Sequence, residues 1–120
     1  MNDYKKLQIW QDAIDLYQTV IPLFPVLREQ RFYRLLDQLE GSAGSVADNI
    51  AEGQGRNGNK EFLYFLGVAK GSLQECDSQL HRVKLLKICE EPTLTNALNK
   101  TDKLQARIQT LINYLKKNSN

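Results

Sequence analysis

The 120 residues contain little of what specialised chemistry requires: two cysteines, one histidine, one tryptophan and three prolines. Cys76 and Cys89 are too few for the disulfide framework of a small secreted domain, and their separation matches no C-x-x-C zinc or redox spacing. The single histidine, His81, has Asp77 one helical turn before it, but the Glu-x-x-His pattern of di-iron bundles is absent, so no metal or other cofactor is expected. No apolar run approaches the roughly 20 residues needed to cross a bilayer, and mean hydropathy is −0.46, so no membrane partner is expected. The opening MNDYKKLQIW lacks the basic-then-apolar signature of a secretory signal, which makes the cytoplasm the expected location. A net charge of +2 is far below the excess carried by a dedicated duplex-DNA binder.

What is present is helical periodicity. Leu7, Trp10, Ile14, Tyr17 and Ile21 recur at steps of three and four, predicting a first helix over about 4–21 with those residues on its core stripe. Pro22 and Pro25 predict a redirecting turn, followed by a second helix over about 26–52 with the stripe Phe32, Leu36, Leu39, Ala43, Val46 and Ile50. The run Gly53-Gln54-Gly55-Arg56-Asn57-Gly58 reads as a loop, with Asn59 as N-cap of a third helix over about 60–89. Its stripe is Phe62, Leu66, Ala69, Leu73, Cys76, Leu80 and Val83. After Pro92, with Thr93 or Thr95 as cap, the heptad Leu94, Ala97, Thr101, Leu104, Ile108, Leu111 and Leu115 predicts a last helix over about 93–117. Four amphipathic helices with short connections bury their stripes against one another, so the expected fold is all-α: a single-domain antiparallel up-down-up-down four-helix bundle.

A second stripe of small and polar residues, Ser42, Ser45, Asn49 and Glu52, lies beside the core stripe of helix two, interleaved with Gly41 and Gly44. Gly67, Gly71, Ser72 and Glu75 form a matching surface on helix three. Glycine in mid-helix costs about 1 kcal/mol relative to alanine, and close helix approach is the expected compensation. Paired carboxylates at Glu52 and Glu75 are a weak case for acid–base chemistry, since nothing else in the chain suggests a cleft around them; the expectation is no enzyme. Cations are unevenly spread. Residues 93–120 carry Lys100, Lys103, Arg107, Lys116 and Lys117 against Asp102 alone, a local +4. Arg28, Arg31 and Arg34 form a single stripe opening helix two, and Arg56 and Lys60 place positive charge at the loop before helix three. These cations are the candidate nucleic-acid contacts.

Several short blocks are distinctive in combination: Tyr4-Lys5-Lys6-Leu7 with Trp10, Phe24-Pro25, Gln38, Ser45, Asn49-Ile50-Ala51-Glu52-Gly53 with Gly55-Arg56, then Ala69, Gly71-Ser72 and Glu75. With them the chain resembles, over nearly its whole length, the four-helix-bundle proteins related to the 23S rRNA intervening-sequence protein, the S23 family. It is more distantly similar to the accessory proteins of diversity-generating retroelements. The resemblance implies a bacterial protein, an antiparallel four-helix bundle, assembly into a ring-like homopentamer, and RNA or a ribonucleoprotein such as a reverse transcriptase complex as partner. It also marks Gln38, Ser45, Asn49, Glu52, Gly53, Gly71, Ser72 and Glu75 as motif positions. Two departures stand out: Glu40-Gly41 where relatives often carry basic residues, and Ala47 where proline is common. The alternative is a protein–protein adaptor or structural oligomer that binds no nucleic acid.

Overall fold

The computed structural model describes residues 3–118, which form a helical rod of 50 × 21 × 20 Å. A 3-10 turn, Tyr4–Lys6, capped by the Asp3 carboxylate accepting from Lys5 N–H at 3.1 Å, leads into α1 (Gln8–Val20). The chain continues through α2 (Leu23–Glu29), α3 (Tyr33–Gln54), α4 (Asn59–Leu86) and α5 (Glu91–Lys117). There is no strand among the described residues.

Cross-helix bonds fix the topology. Asp12 and Asp15 on α1 meet Arg107 and Lys100 on α5; Ser42 and Ser45 on α3 meet Gln79 and Ser72 on α4; Gln74 and Asp77 on α4 meet Gln105 and Thr101 on α5. In each pair the numbering rises on one helix as it falls on the other, so these neighbours run antiparallel. The four long helices form the all-α bundle that the periodicity predicts.

Two expectations fail between α1 and α3. Pro22 and Pro25 do not separate a turn from one long helix. Pro25 sits in the first turn of α2, where backbone N–H groups have no intrahelical acceptor to lose, so α2 starts at Leu23. The predicted second helix then breaks at residues 30–32. Arg31 takes a left-handed conformation, φ 65°, its N–H bonding Arg28 C=O at 3.0 Å, while Phe32 N–H reaches Leu27 C=O at 2.8 Å. Those two bonds are a Schellman motif, in which glycine usually fills the left-handed position. Here arginine fills it, which removed the usual signal of a helix end. Arg28, Arg31 and Arg34 therefore do not share one helical stripe: they belong to α2, the linker and α3.

The remaining boundaries shift less. Helix α3 runs through Gly53 to Gln54, leaving a short connection that ends at Gly58, whose φ of 90° only glycine adopts readily. Gly58, not Asn59, is the N-cap of α4. Helix α4 stops at Leu86 with Lys87 left-handed, so Ile88 and Cys89 lie outside it. Glu91 starts α5 with Pro92 in its first turn, and its N-cap is Glu90 and neither Thr93 nor Thr95.

The core matches the predicted stripes of α3, α4 and α5 closely, with Ile112 buried beside the half-buried Leu111. Helix α1 is rotated. Ile9, Ala13, Leu16 and Val20 are buried, whereas Leu7, Trp10, Ile14 and Tyr17 pack on the flank and Ile21 is exposed. Both sets obey helical spacing. The larger aromatic side chains suggested the flank, but small Ala13 is what fits the bundle centre.

Candidate nucleic-acid interface

Of the motif residues, Gln38, Ser45, Gly53 and Ser72 meet across the α3–α4 seam. Ser42 Oγ donates to Gln79 Oε1 at 2.5 Å, and the Ser45 and Ser72 hydroxyls bond each other at 2.9 Å. Asn49 donates to Ser45 C=O at 2.8 Å and to Ser45 Oγ at 2.9 Å. Gln38 Oε1 accepts from Arg82 at 3.3 Å, and Glu52 pairs with Arg56 at 2.8 Å. Glu75 is exposed. The seam thus binds helix to helix. Every buried side-chain polar atom among the described residues has a partner, as buried polar groups require.

Close approach occurs at Gly53 and not at the other glycines. A Cβ on Gly53 would sit 2.8 Å from Phe65 Cβ and 3.0 Å from Phe62 Cδ1. At Gly41, Gly67 and Gly71 a Cβ would meet nothing within 4 Å, and at Gly44 only an ordinary contact with the Tyr17 ring at 3.5 Å. Close helix approach within one chain therefore does not explain these glycines. Gly67 and Gly71 are exposed on the stretch of α4 that also exposes Tyr64, at 66%, and Val68, at 37%, and Gly41 is exposed on α3. Leu63 and Phe65 are half-buried, and Leu35, which lies off the predicted core stripe of helix two, is 6% exposed and belongs to the core.

The candidate cations fall into three places. On α5, Lys100 pairs with Asp15 at 2.7 Å and Arg107 with Asp12 at 2.5 Å, while Lys103 shares their surface depression. Half of the +4 of this segment is thus cancelled by carboxylates of α1. Only folding brings those residues together, so the linear count overstated the available charge. Toward one end, Lys116 and Lys117 are exposed at the close of α5, and Arg56 and Lys60 flank Tyr64 and Phe65. Arg56 lies over the Phe65 ring at 5.1 Å while keeping its pair with Glu52.

At the other end, separated by the roughly 30 Å length of α3, Arg31 and Arg34 are joined by Arg82 of α4. These three arginines line a concavity of 280 Å³ with Phe32, Tyr33, Leu35 and Leu86. None of them, nor Arg28 nearby, is within ion-pair distance of a carboxylate among the described residues. Sequence reading missed Arg82 and Tyr33, and it placed Phe32 on the core stripe of helix two, whereas Phe32 lies at the N-cap of α3 and is exposed. Arg82 lies 48 positions beyond Arg34, and only the antiparallel α3–α4 register brings it across.

Titration is perturbed chiefly in the interior. Burial pushes the Cys76 thiol from 9.0 up to about 12, partly opposed by its hydrogen bond with Ser42 and reinforced by Asp77. Burial also raises Cys89. Tyr17 is raised first by its hydrogen bond to Glu40, at 2.9 Å, then by partial burial and by the charges of Glu40 and Asp48. Cys76 is therefore a protonated core group. His81 faces Asp77 at 3.6 Å on the surface. No cluster of three or more His, Cys, Asp or Glu side chains among the described residues is arranged to hold a metal ion, and no helix there is long and apolar enough to cross a membrane.

A family model described as 23S rRNA-intervening sequence protein matches residues 5–110. A crystal structure of a protein of unknown function from the S23 ribosomal protein family of Bacteroides thetaiotaomicron VPI-5482 superposes with a TM-score of 0.80. That likeness covers 87% of this chain and 97% of the other at 16% sequence identity, and so concerns the fold. No curated protein matches the chain.

Proposed function

The chain belongs to the 23S rRNA-intervening sequence protein family, and from that premise we propose that it is a non-catalytic assembly module that engages RNA or a ribonucleoprotein. Copies of the chain associate, as a ring-like homopentamer, and present repeated cationic sites to the partner. The observation that carries this reading is the open glycine face of α3 and α4. Gly41, Gly67 and Gly71 each cost a helix about 1 kcal/mol relative to alanine, and nothing in their own chain fills the space they leave. A second copy seated over Gly67 and Gly71, against Tyr64 and Val68, supplies the missing compensation there. Heterologous contacts of this kind close into a ring when the rotation between neighbours is a whole fraction of a turn, a fifth for a pentamer.

Multiplication matters because each protomer spreads its bare cations along a rod 50 Å long. Arg28, Arg31 and Arg34 at one end and Lys60, Lys116 and Lys117 toward the other lack ion-pair partners among the described residues. Repeating them in one particle raises affinity through effective concentration, with strong dependence on salt. Sedimentation at micromolar concentration tests the assembly: a stable multiple of 13.8 kDa is expected, and a monomer refutes it.

A second reading, a protein–protein adaptor without nucleic acid, is favoured by the cancellation of Lys100 and Arg107 by Asp15 and Asp12. Pull-down with and without nuclease separates the two. Partners lost on nuclease treatment support RNA engagement, and protein partners retained in full support the adaptor.

A further inference from the structure

The arginine-lined concavity between the start of α3 and the end of α4 has a mixed chemistry that the bundle itself does not use. Three guanidinium groups, Arg31, Arg34 and Arg82, border it with no carboxylate in ion-pair reach among the described residues. The rest of its wall is apolar or aromatic: Phe32, Tyr33, Leu35 and Leu86. Phe32 is 38% and Tyr33 55% exposed, although both are large enough to have been buried. Exposed rings are costly to solubility, gathered like charges repel one another, and neither is of use to the core. Their combination suits a ligand that is anionic at one end and flat and aromatic at the other.

We propose that this concavity binds an unpaired nucleotide of single-stranded RNA, its phosphate held by Arg31, Arg34 and Arg82 and its base stacked on Tyr33 or Phe32. This rests on the reading of the protein as an RNA-engaging module and specifies which part of an RNA it takes. Guanidinium groups grip phosphate oxygens in pairs, and planar rings stack any splayed base. A duplex buries its base faces in its own stack and offers none to a ring in a concavity, so loops, bulges and ends are the matching targets. Arg31 adds a feature of its own: it holds a left-handed conformation that glycine fills more readily, so its side chain is kept at a cost to the local backbone.

The probe is a fluorescein-labelled ten-nucleotide uridylate RNA, followed by anisotropy at low and moderate salt against the full chain. Wild type binds, and Arg34→Ala, Arg82→Ala and Tyr33→Ala each weaken binding about tenfold. Lys6→Ala, an exposed cation outside the concavity, changes affinity less than twofold. Arg31→Gly is the decisive variant, because loss of folding does not account for its effect: it melts higher than wild type yet binds about tenfold more weakly. A duplex of the same length competes poorly, and uridine monophosphate competes better than inorganic phosphate. If wild type binds the RNA and the four concavity variants bind equally well, the concavity is refuted while RNA engagement stands. If wild type binds no RNA at low salt, both are refuted.

Discussion

Replacing Gly53 by alanine separates the two reasons a helix holds glycine. In an open helix the change stabilises by about 1 kcal/mol through backbone propensity. At Gly53 the new methyl would lie 2.8 Å from Phe65 Cβ, whereas carbon atoms in contact settle at about 3.5–4.0 Å. The obstructing atom is bonded to the α4 backbone and cannot rotate away, so α3 and α4 must part by nearly 1 Å near the hairpin tip. Overpacking costs about 1–3 kcal/mol, and a contact this short against an atom fixed to the backbone belongs in the upper part of that range, about 2–3 kcal/mol. Net destabilisation is then about 1–2 kcal/mol once the propensity gain is subtracted. With an unfolding entropy of about 2.1 cal/mol/K per residue, each kcal/mol lowers the Tm by about 4 °C in a chain of this length, giving a drop of about 4–8 °C. Thermal melts followed by circular dichroism read it directly. Gly55→Ala is the control: φ is −78° and the added Cβ meets only carbonyl oxygens at 3.6 Å, so its Tm stays level or rises. A Gly53→Ala protein melting at or above wild type would refute the packing argument.

Alkaline stability follows from Cys76. Its folded pKa lies above the unfolded value of 9.0, so the unfolded chain releases the proton first and stability falls as pH rises from about 9 toward 12, by about 1.4 kcal/mol per pH unit for this group. Urea melts between pH 8 and 11 show the decline, and Cys76→Ala flattens it; an unchanged slope contradicts a buried protonated thiol. Removing the carboxylates that neutralise α5, as Asp12→Asn with Asp15→Asn, frees Lys100 and Arg107 and steepens the salt dependence of RNA binding. Unchanged affinity and slope in that double variant would show that the α1–α5 face stays off the RNA. Gly67→Ala with Gly71→Ala raises protomer stability and weakens assembly; assembly at wild-type strength would show that the open glycines face no second copy.

How much of this was legible in the sequence depends on how local the cause was. Apolar residues repeating at steps of three and four are a property of neighbours along the chain, and the stripes of α3, α4 and α5 were readable almost residue by residue. On α1 the signal was ambiguous because two adjacent stripes satisfy the same period, and only the space inside the bundle selects Ala13 and Leu16 over Trp10 and Tyr17. The break before α3 was hidden because Arg31 occupies a position that glycine ordinarily announces.

Charge was the least legible quantity. The basic segment 93–120 looked exposed until α1 supplied Asp12 and Asp15, and the compact arginine cluster looked like a stripe until α2 ended and α4 supplied Arg82. Both outcomes depend on partners tens of residues away. The glycines show the same limit in reverse. The helical positions of Gly67 and Gly71 could be read from the sequence, whereas Gly53 reads as loop, and nothing local distinguishes Gly53, packed against Phe65, from Gly67 and Gly71, which face open space.

The central claim is that open helix faces build an assembly and that the assembly takes RNA. Light scattering across a size-exclusion column, loaded with an equimolar mixture of the chain and a structured RNA with single-stranded loops at low salt, measures both at once. The account predicts one peak containing RNA and protein, with a protein mass five times the 13.8 kDa of the chain. Protein eluting at 13.8 kDa, apart from the RNA, would contradict it.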